Sequence, residues 1–221
     1  MIQLNHRTRF SSGGNRECYR HPDHSDRCLK ILKECRTPEQ RRNEKSFPAN
    51  LRPLKSFDEN LVELQVLNYL HANYPDAVRK HIPKCFGMVE TDCGPALETS
   101  LILDSDGLIS QTLEQYLWQS GLDTSLQKVI AEFKEDWATS PPNTRDLIPH
   151  NIVVQDHGTH RQIVLIDGFG RIPRMPSLDK LIRPKWQFKR RMENFDRRIQ
   201  TILELIATNS TPPGRLTNLV R

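Results

Sequence analysis

Two stretches in the second half of the chain decide its reading. Arg145-Asp146-Leu147-Ile148-Pro149-His150-Asn151 runs directly into Ile152-Val153-Val154. Ile163-Val164-Leu165-Ile166 then ends on Asp167-Gly168-Phe169-Gly170. Each apolar run reads as a short strand, and Asp156 to Arg161, with Gly158 inside, joins them as a hairpin loop. A hairpin returns to its starting point, so Asn151 and Asp167 flank one end of it. An Asp before the first strand can accept a proton from a hydroxyl or orient it. An Asn amide oxygen and an Asp carboxylate at a strand end can share one Mg²⁺. Each piece also has an ordinary meaning: Asx-type capping in a loop for Asp146 and Asn151, and a common Asp-Gly turn at Asp167.

Outward from this hairpin the second half is helical. Thr112 to Gln119 and Thr124 to Trp137 read as helices, and Pro141-Pro142-Asn143 breaks the second. Phe188, Met192, Phe195, Ile199, Ile202, Leu203 and Ile206 recur at steps of three and four, which predicts a long amphipathic helix ending before Pro212-Pro213-Gly214. Its basic run, Arg183 to Arg198, suits an anionic partner or simply a solvated face. His150 reads as a phosphate donor or a plain loop histidine.

The first half reads mostly as strands. Arg9 to Arg20 places Gly13-Gly14 between two short ones, and Arg27 to Lys33 is another. Ile82 to Glu90 and Ala96 to Leu103 follow, separated by Asp92-Cys93-Gly94-Pro95. Between them Ser56 to Tyr69 predicts a helix opened by a Ser56–Glu59 capping box. A polar turn at Asp104 to Gly107 marks the boundary, giving units 1–103 and 104–221. A strand-rich part followed by a helix-rich part is the pattern of a fold with a ligand cleft.

Two details of the first half carry chemistry. Gly13 and Gly14 let backbone N–H groups come close to phosphates, or serve an ordinary hairpin turn. In Cys28-Leu29-Lys30-Ile31-Leu32 the side chains alternate, so Lys30 shares a face with Cys28 and Leu32. Glu63 shares a helical stripe with Val66, Leu67 and Leu70. A carboxylate inside an apolar stripe is costly unless paired, so Lys30 and Glu63 are matched as a buried pair; a snorkelling surface pair is the alternative. His21-Pro22-Asp23-His24 could suggest a metal site but reads as a polar turn between strands.

Composition bounds these readings. The 221 residues hold 32 Lys plus Arg against 27 Asp plus Glu, a formal charge of +5. That balance suits an anionic partner such as a nucleotide. Five cysteines without a Cys-x-x-Cys pair argue against a disulfide framework or thiolate zinc site and for a reducing cytoplasm. The sequence predicts neither a membrane-spanning helix nor a secretory signal in MIQLNHRTRFSSGG.

Lys30, Glu63, Asp146, Asn151 and Asp167 stand in the order and approximate spacing of the protein-kinase signature. The sequence resembles the protein-kinase-like superfamily, and more narrowly the PhoP regulatory network proteins (YrbL-like). The resemblance is carried by GGNRECYRHP (Gly13 to Pro22), CLKIL, ELQVL, VETDCGPALE, DSDG before TLEQYL, RDLIPHNIVVQ and LIDGFG, and covers roughly residues 10 to 200. It implies an α+β, two-lobed kinase-like fold with a strand-rich N-lobe, a small helical C-lobe, and ATP with Mg²⁺ as cofactors. It implies that Gly13, Gly14, Lys30 and Glu63 serve the nucleotide, that Asp146 is the catalytic base, and that Asn151 and Asp167 hold the metal. It implies transfer to an unnamed phosphoacceptor, or, in a pseudokinase, nucleotide binding alone. The sequence departs from the common kinase pattern at Thr144, where His is usual, in its two adjacent glycines, in the extra Gly168, and in lacking an A-P-E element.

Overall fold

The structure, a computed structural model, describes residues 1–145, 147–172 and 185–213. The alternating RECYR and RCLKIL segments pair as β2 (Arg16–Arg20) and β3 (Arg27–Leu32), and β1 (Ser11–Ser12) borders them. β4 (Cys85–Thr91) and β5 (Gly94–Ser100) form a second hairpin, and the antiparallel sheet runs β1-β2-β3-β5-β4. The turn of that second hairpin is tighter than the sequence suggests, because Thr91 already faces Gly94 across it. On one face Leu4, Leu29, Ile31 and Ala96 form a buried cluster, with Ile2, Tyr19 and Val89 packed on it. The opposite face carries Cys28 and Lys30.

Between β3 and the main helix lies α1 (Pro38–Asn43), followed by 3₁₀ turns at Ala49–Leu51 and Leu54–Ser56. Thr37 and Gln40 form a capping box at the start of α1, behind Pro38. α2 then spans Glu59–Asn73. The expected Ser56–Glu59 capping box does not form. Ser56 ends a 3₁₀ turn, and the Asp58 carboxylate accepts the N–H groups of Asn60 and Leu61 at 2.9 and 3.0 Å. A carboxylate one residue before the helix is a better acceptor for first-turn donors than a hydroxyl three residues back.

The chain forms two compact units: residues 1–69 with 84–101, and residues 70–83 with the described residues from 102 onward. Residues 70–83, placed in the first lobe by the sequence, count with the second unit. They include the last turn of α2 and the short helix α3 (Asp76–Arg79). The reason is a set of polar ties within the second unit. The Leu165 N–H donates to the His81 carbonyl at 2.9 Å, and the buried His81 ring sits 2.6 Å from the Ile163 carbonyl and 3.0 Å from Asp136. Burial raises the Asp136 pKa, but its bonds to Lys80 and His81 outweigh this and hold the carboxyl below its ordinary range.

The second unit is built on β6 (Gln111–Thr112), β7 (Ile152–Asp156) and β8 (Arg161–Leu165), an antiparallel sheet in that order. Around it run α4 (Leu113–Ser120), α5 (Thr124–Thr139) and α6 (Lys185–Ala207). The periodic apolar residues do what the spacing predicts: Phe133 of α5 packs at a tilt against Trp137 and meets Phe195 of α6 edge-on, with centroids 4.5 and 6.2 Å apart. Asp123 caps α5 through the Leu126 N–H.

Candidate functional site

In the first unit, strand alternation and cross-strand register fix one polar cluster. Cys18 faces Lys30 across β2 and β3, and Arg16 lies two residues before Cys18, so all three share a face. α2 brings Glu63 onto that face on the same stripe as the buried Val66, Leu67 and Leu70. The Asn60 side chain donates to the Lys30 carbonyl at 2.8 Å, which fixes the helix against the strand. Lys30 Nζ lies 2.6 Å from Glu63 Oε1, and both side chains are under 10% exposed. The sequence reading matched these two residues, and the structure pairs them.

Sequence reasoning missed the second cation. Arg16 Nη1 lies 2.5 Å from Glu63 Oε2, and it too is buried. Each oxygen of the carboxylate therefore takes one cation. The signal was present: carrying the alternation of RECYR across the hairpin puts Arg16 on the Lys30 face. Burial, with the neighbouring Cys28 adding to it, pushes the Cys18 thiol up to about 12. Burial also raises the Cys28 thiol pKa. Both stay neutral at physiological pH, so neither competes with Glu63 for Lys30.

Gly13 and Gly14 form the turn between β1 and β2. The Gly13 N–H is engaged by the Arg16 carbonyl at 2.9 Å, leaving exposed Gly14 at the tip. Neither has a positive φ, and a Cβ added at Gly14 would meet nothing within 4 Å. The Asn15 side chain bonds Glu59 at 3.1 Å, fastening the base of the turn to α2.

In the second unit the β7–β8 hairpin forms in the expected place, with Ile152 opposite Leu165. The Ile166 N–H donates to the Asn151 carbonyl at 2.8 Å, so Asn151 and Asp167 emerge at one end of the hairpin. The Asp167 carboxylate accepts the Gly168 N–H at 2.6 Å, which orients it. Asp146 lies outside the described residues. Its neighbours are held to the Asp-Gly-Phe-Gly segment: the Arg145 N–H donates to the Gly168 carbonyl and the Gly170 N–H to the Asn143 carbonyl, both at 2.8 Å, with Thr144 bridged to Phe169.

The extra glycine and its partner are both required by this pairing. Gly168 has φ +87°, which favours glycine. A Cβ on Gly170 would lie 2.4 Å from the Asn143 carbonyl oxygen. Gly170→Ala is therefore expected to cost about 1–3 kcal/mol by forcing the two segments apart. Gly14→Ala, at an open position, should stay within about 0.5 kcal/mol of the native stability. Thermal and denaturant unfolding of the two variants check both.

The remaining candidates take ordinary roles or lie elsewhere. His21 Nδ1 accepts the N–H groups of Asp23 and His24 at 3.1 and 3.2 Å, which makes His21 to His24 a capped turn. His150 Nδ1 lies 3.8 Å from Glu114, a buried acid in the first turn of α4. Of the basic run, Arg183 is outside the described residues, while Lys189 and Arg190 are exposed on α6. Among the described residues no group of three His, Cys, Asp or Glu side chains is arranged to hold a metal ion. A metal at Asn151 and Asp167 would thus take only part of its ligands from these two.

The chain belongs to the family described as PhoP regulatory network protein YrbL, which it matches over residues 2–202. It is 28% identical over 156 residues to the uncharacterized protein YrbL of Escherichia coli (strain K12), and equally so to that of Shigella flexneri. The aligned part is 69% of this chain, and the chain spans 65% of the length of these relatives. No helix among the described residues is long and apolar enough to cross a membrane.

Proposed function

We propose that this chain is a member of the protein-kinase-like superfamily, its two units corresponding to a strand-rich N-lobe and a helical C-lobe, and that it transfers phosphate from Mg-ATP to a hydroxyl acceptor. The observation that carries the reading is the buried Lys30–Glu63 pair. A lysine on a sheet face, held by a helix carboxylate, is a cation fixed in one position for phosphate. In this reading Lys30 binds the nucleotide phosphates, with Gly13 and Gly14 at the phosphate turn. Asn151 and Asp167, at one hairpin end, would hold Mg²⁺, which when bound would neutralise charge on the transferring phosphoryl group. Asp146, carried over by resemblance, would orient the acceptor hydroxyl and take its proton.

A second reading, a nucleotide-binding pseudokinase in a regulatory role, draws on a specific feature. Thr144 replaces the usual His, and the family description names a regulatory network rather than a reaction.

The first test is ligand-induced stabilisation. At Mg-ATP about 100-fold above its Kd, unfolding should be opposed by about 2.7 kcal/mol more than in its absence. Asp167→Ala should lose most of that gain. An unchanged melting temperature at millimolar Mg-ATP, in both proteins, would end both readings. Binding without γ-phosphate transfer to any acceptor class would favour the pseudokinase.

A further inference from the structure

We propose that the segment between β3 and α2 is a docking surface for anionic membrane, with Phe47 and Leu51 as its inserting residues. The two side chains are 77% and 71% exposed, among the most exposed large apolar groups of the molecule. They lie four residues apart in one tight turn. The Ala49 and Asn50 N–H groups donate to the Ser46 carbonyl, and the Leu51 N–H to that of Pro48. Single exposed hydrophobics are ordinary, but two projecting from one short, hydrogen-bonded turn are not.

The charge around them is mostly positive: from Arg36 to Lys55 six cations stand against Glu39 and Glu44. Arg36 is paired with Glu44 and Arg41 with Glu59. Arg42, Lys45, Arg52 and Lys55, which flank Phe47 and Leu51 on both sides, form no ion pair among the described residues. Lys45, Arg52 and Lys55 are exposed. An aromatic and an aliphatic tip flanked in the chain by unpaired cations matches an interface that is negative at the headgroups and apolar just beneath. A nucleic acid would reward the cations and stack on Phe47, but it offers an aliphatic Leu51 nothing. The chain would lie on such a surface, and this inference does not depend on the phosphotransfer reading.

The test is co-sedimentation of the full chain with phosphatidylcholine vesicles, with and without phosphatidylserine. Binding is expected only to the phosphatidylserine vesicles and should fall with added salt. Phe47→Ser and Leu51→Ser should each weaken it on the order of ten-fold. Lys45→Ala or Arg52→Ala should each weaken it roughly five-fold. All four residues are exposed, so melting temperatures should stay at the native value. The proposal is overturned if phosphatidylserine vesicles bind no protein, or if Phe47→Ser and Leu51→Ser leave binding unchanged, as attachment through the basic α6 would. It is equally overturned if the chain binds single-stranded nucleic acid more tightly than the vesicles.

Discussion

Glu63→Ala is expected to destabilise the chain by about 3–5 kcal/mol, more than either Lys30→Met or Arg16→Met. The asymmetry follows from the geometry. Glu63 gives one oxygen to Lys30 at 2.6 Å and the other to Arg16 at 2.5 Å, and all three side chains are under 10% exposed. Removing the carboxylate takes the shared partner from two buried cations at once. Removing one cation leaves the carboxylate still bonded to the other. Replacing Lys30 and Glu63 together, Lys30→Met with Glu63→Leu, should restore part of the loss, since an apolar pair of similar volume is often neutral in such a place. Denaturant unfolding of the wild type, Lys30→Met, Glu63→Leu and the double variant gives the coupling energy. A value near zero would show that the pair contributes no more than a solvated surface contact, about 0–1 kcal/mol.

This cluster also shows what the sequence makes legible. Lys30 and Glu63 are 33 residues apart, yet each is readable from its own period: two along β3, three and four along α2. A charged residue on an otherwise apolar face of each element asks for a partner, and Glu63 is the carboxylate that shares its stripe with Val66, Leu67 and Leu70. Arg16 required a further step, cross-strand register, which depends on the turn between β2 and β3, residues 21–26, as well as on alternation. The Asn151–Asp167 juxtaposition was legible for the same local reason, since a hairpin pairs its own ends.

What escaped was decided by competition or by distance. Ser56 and Glu59 have the spacing of a capping box, but Asp58 offers the first-turn donors a nearer carboxylate. Thr37-Pro38-Glu39-Gln40 is an equally clear helix start, and it opens α1 in a stretch that lacks the apolar period by which helices are found. Residues 70–83 begin inside the last turn of α2, so nothing local assigns them to the second unit. His81 does so through the Ile163 carbonyl and Asp136, partners 82 and 55 residues away. The pairing of Gly168 and Gly170 with Arg145 and Asn143 was likewise invisible, although it explains why glycine stands at both 168 and 170.

The proposed reaction predicts a split between two carboxylates. Asp146→Asn should keep Mg-ATP binding and lower turnover by about 10²- to 10⁴-fold, the usual contribution of a positioned general base. Asp167→Ala should instead weaken Mg-nucleotide binding itself. Asp167 stands beside Asn151 at the hairpin end, where the 2.8 Å bond from Ile166 to Asn151 brings the two residues together. Removing one of two protein ligands leaves the amide oxygen of Asn151, a neutral donor, to hold a hard dication alone, which is a weak site. Both variants are to be measured for nucleotide affinity by titration and for γ-phosphate transfer or basal ATP hydrolysis. Full turnover in Asp146→Asn would remove it as the base. Unchanged Mg-ATP affinity in Asp167→Ala would remove the metal site from the hairpin end. Affinity lost in Asp167→Ala with no turnover in the wild type would leave a nucleotide-binding fold whose chemistry has lapsed, because positioning and charge without a competent base deliver little of the rate.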